Sequence, residues 1–341
     1  MIRKLFCFCL GFMFTIFSAD AAEVVIKSTT NRGDVNIGDY WIAEDFAKGF
    51  EKIGQTVEID YRGEYHNAHS PEPKINVFMR GYTKFEPPFP DGVNVLYVYY
   101  PMAFNGDSKH KLSHKKLNQR AKMPINSSLD DDWQNYDVIG VASASYAEKL
   151  NQAGIKALYV PQFTNPEKFY PDFNEKLQND ILFVGSNWHD RTSLRYAIES
   201  GFDVAVYGFN WDGVVPTQMY RANYIPNDKL NQYYSSAKIV LNDHRPDMKE
   251  FGFVNNRIYD ATAAGALVIS DYMPEIEAVY EDSIPMYHTK EELNELLKFY
   301  LTHETERLEK AQKARDITLK YFTNTVVAKR ILEASIDAKN N

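Results

Sequence analysis

The chain has 341 residues, 44% of them hydrophobic and 25% charged, with a formal net charge of -8. That composition excludes a disordered or low-complexity chain, and the length suits two domains of ordinary size. The acidic balance argues against a nucleic-acid backbone as partner, while leaving room for a local basic pocket that takes a phosphorylated ligand.

"MIRK" makes a basic start. "LFCFCLGFMFTIFS" follows as an apolar run of about 14 residues, the length of a signal-peptide core and short for a membrane span. Ala19 and Ala21 frame "ADA", a small-x-small cleavage site. The expectation is a secretory signal peptide over residues 1–22 and export to a periplasm or the medium. The alternative is an uncleaved anchor holding the protein at the cytoplasmic face of a membrane. Cys7 and Cys9, the two cysteines of the chain, both fall in this leader. The mature chain therefore has no disulfide, no thiol chemistry and no cysteine-held metal.

"EVVIKST" reads as a first strand. In "YWIAEDFAKGFEKIG" the apolar residues Ile42, Phe46, Phe50 and Ile53 recur at helical spacing, and the helix ends at Gly54. "TVEIDYR" is a strand, which completes the β-loop-α-β unit of a parallel sheet. "INVFMRG" and "NVLYVYYP" are near-continuous apolar runs, as in strands buried on both faces. "FEPPFPDG" is a loop between them, and the polar segment from Asn105 to Asp132 is a surface excursion. "YDVIGVAS" is a strand, "ASYAEKLNQAG" a helix ending at Gly154, and "KALYVPQ" another strand.

"FTNPEKFYPDFNEKLQND" carries two prolines and no periodicity, and reads as an interdomain linker. The rhythm then restarts, with strands at "ILFVGS", "DVAVYG", "KIVLND" and "ALVIS" separated by helices at "RTSLRYAIESG", "LNQYYSSA" and "NNRIYDATAAG". "KEELNELLKFYLTHETERLEKAQKARDITLKY" is helical and charged on one face, and "TNTVVAKRILEASIDA" closes the chain as a final helix. Two α/β halves of similar size follow from this order, each Rossmann-like, with a cleft between them.

Ligands of such sheets sit at the carboxyl ends of the strands. Four turns satisfy that rule: Asn36–Asp39, Gly185–Arg191, Gly208–Trp211 and Asp243–Gly252. Gly185 follows a buried strand, where a glycine lets backbone approach a ligand. Arg191 opens the next helix, where an anion is favoured. In the first turn, Gly38 has a special backbone conformation and Asp39 either caps the helix from Tyr40 or faces the cleft. His244, Arg245 and Glu250 are catalytic or substrate-binding candidates in a turn dense in polar groups. On the helix "NNRIYDATAAG", Ile258, Ala261 and Gly265 line a thin face that packs on the sheet. Asn256 and Asp260 share another face. Asp260 either takes two hydrogen bonds from vicinal hydroxyls or pairs with Arg257 three residues away; spacing alone leaves both open. Asp130–Asp132, the pair His66 and His69, and the pair His110 and His114 have spacings a metal uses. Each lacks a further ligand, and no metal site is expected.

The order of "NIGDYWIAEDFAKGFEKIGQTVEID", "VPQFTNPEKFYP", "ILFVGSNWHDR", "VAVYGFNW" and "NNRIYDATAAGALVISDY" resembles the CgeB/YkvP-like glycosyltransferases. The resemblance covers nearly all of the mature chain. It implies an α/β GT-B fold: an N-terminal Rossmann-like, acceptor-side domain over 23–162, a nucleotide-sugar donor domain over 163–318, and a C-terminal helix, 319–341, returning to the first domain. It implies sugar transfer from a nucleotide-sugar to a glycan, protein or lipid-linked acceptor, with retention of configuration and without metal or other cofactor, and no nucleic-acid partner. Residue by residue, Asp260 stands where the related group carries a ribose-binding Glu. Arg191 resembles the diphosphate clamp, and Asn36, Gly38 and Asp39 resemble the N-terminal glycine loop. Gly185, Gly208, Asn256 and Arg257 complete the donor side. The group's first carboxylate falls on Gly252, with Glu250 nearby but out of register. Two alternatives stay open: an inactive relative that binds glycan or nucleotide, and an exported two-lobed solute-binding protein.

Overall fold

The structure, a computed structural model, describes residues 23–65, 69, 74–80, 91–101 and 135–340. Residues 1–22, the expected leader with Cys7 and Cys9, and His66, His110, His114 and Asp130–Asp132 lie outside the described residues.

The first domain is a six-stranded sheet ordered β2-β1-β3-β4-β5-β6. Its strands are β1 (Val24–Lys27), β2 (Val57–Asp60), β3 (Ile75–Arg80), β4 (Val93–Val98), β5 (Val138–Val141) and β6 (Leu158–Tyr159). All neighbours pair in parallel. Helix α1 (Gly38–Lys52) buries Ala43, Phe46, Ala47 and Phe50, the stripe set by its helical spacing. Phe46 meets Phe50, Tyr97 and Phe163 at ring-centroid distances of 5.0–5.3 Å, and each such buried ring stabilises the core by roughly 2 kcal/mol. Helix α2 (Ala144–Gln152) is capped by Ser143, whose side chain accepts from the Tyr146 amide.

The second domain repeats the plan with order β12-β11-β10-β7-β8-β9. Its strands are β7 (Asn179–Val184), β8 (Ala205–Tyr207), β9 (Tyr220–Ala222), β10 (Ala237–Asn242), β11 (Leu267–Asp271) and β12 (Met286–Tyr287). Its helices are α3 (Thr192–Glu199), α4 (Leu230–Ser235), α5 (Pro246–Phe251), α6 (Asn256–Ala263), α7 (Pro274–Tyr280), α8 (Lys290–Thr302) and α9 (Glu304–Tyr321). The charged tail segment is helical as expected and forms two helices, with a break at His303, which leaves the helical region. The polar turn after β10 contains α5, with Pro246 in its first turn and Gly252 closing it at φ +69°.

The chain crosses between domains twice, and the crossings lie side by side. The Thr164 amide donates to the Phe322 carbonyl and the Asn324 amide donates to the Thr164 carbonyl, both at 2.8 Å. The last helix, α10 (Asn324–Asn340), then joins the first domain, burying Val327, Ala328 and Ile331 in its core. Gly49 of α1 makes this docking possible: a Cβ there would stand 2.5 Å from the Asn324 carbonyl oxygen.

Candidate functional site

The carboxyl ends of β7, β8, β10 and β11 converge with the start of α6. Buried Phe183, next to last in β7, carries two guanidiniums: Arg257 Cζ lies 5.2 Å and Arg191 Cζ 5.7 Å from its ring centroid, within cation–π range. Gly185 sits between them. A Cβ there would lie 2.8 Å from Arg257 Nη2 and 3.4 Å from Arg191 Nη2. Gly185 is thus required less by its own conformation than by the cations that fill the place of a side chain. Gly208 has φ +140°, and a Cβ on it would meet the Gly185 carbonyl at 2.3 Å. The Trp211 indole donates to that carbonyl at 2.7 Å.

Arg191 precedes α3 as its N-cap residue. Its Nε donates to the Ser186 carbonyl at 3.0 Å, and its Nη1 to Asp243 Oδ1 at 3.1 Å. Asp243 Oδ2 also accepts from the Ser193 hydroxyl at 2.9 Å. Burial pushes the Arg191 guanidinium below its ordinary pKa, Asp243 opposes this, and Arg257 adds to it. The same burial and the same arginine drive neighbouring His189 down to about 4. Arg257 donates through Nε to the Val184 carbonyl at 2.9 Å and through Nη1 to Asn242 Oδ1 at 2.8 Å. It makes no ion pair with Asp260, which settles the local-pair alternative against it.

Asp260 faces the interdomain crossing. It accepts from the Thr164 hydroxyl at 2.8 Å and from Asn256 Nδ2 at 2.7 Å. Burial raises its carboxyl to about 7, against the pull of Thr164, Lys168 and Asn256 and with a further push from Asp45. Asn256 and Asp260 do share a face, as their spacing predicts, and that face is covered by the crossing. Gly265 is not on the helix: it follows it at φ +88°, against Pro171.

His244 is buried, and its Nδ1 lies 2.7 Å from Asp271 Oδ1. Asp271 Oδ2 accepts from the His244 amide at 3.2 Å and lies 3.2 Å from Lys249 Nζ. Burial raises Asp271, but His244 and Lys249 outweigh it and hold the carboxyl below its ordinary value. Arg245 forms a two-pronged pair with Asp247, at 3.0 and 2.8 Å. Its guanidinium stands 5.5 Å from the Tyr100 ring centroid, across from the first domain. Glu250 is exposed on α5 and has no hydrogen bond or ion pair among the described residues.

In the first domain, α1 begins at Gly38 with Ile37 as a cap residue that makes no side-chain bond. Asp39 therefore does not cap it. Its Oδ2 instead accepts from the Tyr99 hydroxyl at 2.8 Å and from Thr29 at 3.3 Å, and burial raises its pKa. Gly33, not Gly38, has the positive φ of this loop, +85°. Asn36 and Gly38 are exposed. The Tyr224 hydroxyl reaches the Val35 carbonyl of this loop at 3.3 Å, so the second domain touches it. His69 lies between Glu58 and Asp60, and no group of side chains that could hold a metal is found among the described residues.

Asn242, Asp243, Asn255, Asp271 and Phe183 are the members of this network that sequence reasoning missed. Asp271 stands at the end of β11, a fifth strand end to which the carboxyl-edge rule also applies.

A profile of the family described as "Glycosyl transferase-like" matches residues 176–333, the segment holding Gly185, Arg191, His244, Arg257 and Asp260. The spore protein CgeB of Bacillus subtilis (strain 168) is 27% identical over 200 residues, 53% of this chain and 61% of that protein. The chain has the GT-B fold and is similar to CgeB over about half of its length. The fold is shared with the catalytic domain of starch synthase IV from Arabidopsis thaliana bound to ADP and acarbose (TM-score 0.65, 10% identity, 94% of this chain and 100% of that one). It is shared too with Anabaena Alr3699/HepE in complex with UDP and glucose (TM-score 0.61, 11% identity, 92% and 98%). The chain thus carries Arg191 and Arg257 at the carboxyl edge of a GT-B second domain.

Proposed function

We propose that the protein transfers a sugar from a nucleotide-sugar donor to an acceptor hydroxyl on a glycan, protein or lipid-linked molecule. One observation carries the reading: Arg191 and Arg257 bracket Gly185 at the carboxyl edge of the second sheet, with Asp243 as the one carboxylate paired to either among the described residues. Two buried cations with one counter-charge suit a diphosphate. As the bond from the anomeric carbon to the phosphate oxygen breaks, its electron pair passes to that oxygen, and the guanidiniums stabilise the charge. The acceptor oxygen bonds to the anomeric carbon, and its proton leaves to the departing phosphate. Metal-independent transfer with retention belongs to this proposal, as does export through a cleaved leader.

Calorimetric titration of purified protein with UDP-, GDP- and ADP-sugars tests the reading, with saturable binding of at least one expected. Silence toward all of them, with a response to a free sugar or amino acid, overturns it in favour of solute binding. Donor binding without transfer to any glycan acceptor favours an inactive relative. Proton NMR of the product's anomeric centre tests retention, and N-terminal sequencing of exported protein tests cleavage.

A further inference from the structure

Two buried acceptors beside the arginine network lack partners among the described residues: His244 Nε2 and Asn255 Oδ1. A buried polar atom without a partner is costly, and in a native protein it calls for a partner from outside the chain, a water or a ligand group. The structure determines what each atom offers. His244 Nδ1 lies 2.7 Å from a carboxylate oxygen of Asp271, which accepts and does not donate. The Nδ1 therefore carries a hydrogen, and in the neutral form of the ring Nε2 is an acceptor. Asn255 Nδ2 donates to the Asp243 carbonyl at 2.9 Å. A carbonyl takes only the amide nitrogen, so the bare atom is the oxygen, again an acceptor.

Both atoms adjoin the cation pair. His244 follows Asp243, whose carboxylate holds Arg191. Asn255 lies two residues before Arg257 and holds the Asp243 backbone. Arg191 and Arg257 offer donors only, which suits phosphate oxygens. A phosphate oxygen gives nothing to an acceptor, so His244 Nε2 and Asn255 Oδ1 are mismatched to the diphosphate. They are matched to hydroxyl groups. Resting on the donor-binding reading above, we propose that His244 Nε2 and Asn255 Oδ1 accept hydrogen bonds from hydroxyls of the transferred sugar, with Asp271 as the residue that positions His244. The network is then divided by polarity, with donors for the diphosphate and acceptors for the sugar beyond it.

Calorimetry with matched pairs separates the two halves: UDP, GDP and ADP against UDP-glucose, GDP-glucose and ADP-glucose. The wild-type protein binds one conjugate more tightly than its diphosphate. His244→Leu keeps the diphosphate affinity within about twofold and weakens the conjugate about tenfold, the value of one hydrogen bond, and Asn255→Ala weakens the conjugate more than the diphosphate. His244→Gln, whose amide oxygen reaches about as far as Nε2, recovers part of the loss. Asp271→Asn weakens the conjugate in the wild-type background but adds nothing in His244→Gln, whereas a merely structural role for Asp271 would weaken both. A folded His244→Leu or Asn255→Ala protein that keeps the full conjugate preference overturns the proposal. So does a wild-type protein that binds diphosphate and conjugate equally, and in that case the donor-site reading of the arginines stands. A wild-type protein that binds no diphosphate and no conjugate overturns the donor-site reading itself, and the sugar contacts with it.

Discussion

Arg191 and Arg257 lean on the same ring, that of Phe183, and among the described residues only Arg191 has a carboxylate partner. Arg257 is held by two neutral oxygens, the Val184 carbonyl and Asn242 Oδ1. Two like charges so placed repel, and burial magnifies the repulsion. An arriving diphosphate relieves it. Arg257→Ala is therefore expected to weaken nucleoside-diphosphate affinity about 10- to 100-fold, the range for a lost charge-assisted hydrogen bond. Calorimetry reads the affinity, and thermal melting checks that the fold survives. Retention of wild-type affinity by a folded variant would remove Arg257 from the donor site.

Gly185→Ala tests the same geometry without removing a charge. Its Cβ would meet Arg257 Nη2 at 2.8 Å, the far end of a flexible side chain, so Arg257 swings away and the backbone stays. A melting-temperature loss of a few degrees is expected, alongside a clear fall in diphosphate affinity. A large stability loss with affinity intact would mean that the glycine serves the fold alone.

Asp260 links the site to pH. Its carboxyl titrates near 7 in the folded protein against an ordinary value of 3.8. The folded state then binds the proton more tightly than the unfolded state does. The contribution to stability is fully present below about pH 4 and is lost as the pH rises through about 7. At about 1.4 kcal/mol per unit, the loss is roughly 4 kcal/mol. Asp260→Asn stays neutral and keeps an acceptor for Thr164, so its stability relative to wild type should rise between pH 4 and 8. Denaturant melts across that range check this, and parallel pH curves for the two proteins would contradict it.

The architecture was largely legible because buried parallel strands write themselves as apolar runs and α1 as a clean helical stripe. The two-domain parallel fold follows from that alternation alone. The break at His303 was hidden, since charged residues on both sides continue a helical composition. Helix α5 was hidden too, because six residues rich in polar groups show no period. At the site, the strand-end rule reached Gly185, Arg191 and His244. It did not reach the partners that define them. Whether Asp260 meets Arg257 or Thr164 depends on a contact across 96 residues, which no local spacing encodes. The partner of His244 was hidden for the same reason: Asp271, which pairs with it, comes from the next strand.

Gly252 shows what stands at the place where the resemblance expects a carboxylate. A Cβ there would lie 2.2 Å from both Glu275 Oε1 and Ser145 Oγ. Those two atoms hydrogen-bond at 2.8 Å across the domain seam, and the Ser143 hydroxyl donates to the Phe251 carbonyl one residue away. A side chain at Gly252 therefore collides with the contact that joins α2 of the first domain to α7 of the second. It also strains a left-handed backbone with φ +69°. Each effect costs about 1–3 kcal/mol. Gly252→Ala should lower stability by roughly that amount and loosen the seam, seen as faster amide exchange in the first turns of α2 and α7. Ser145→Ala separates the two causes: it removes the hydrogen bond and leaves the backbone unstrained, so it should loosen the seam with less loss of stability. Equal protection of α2 in Gly252→Ala and wild type would show that the collision is absorbed without parting the domains.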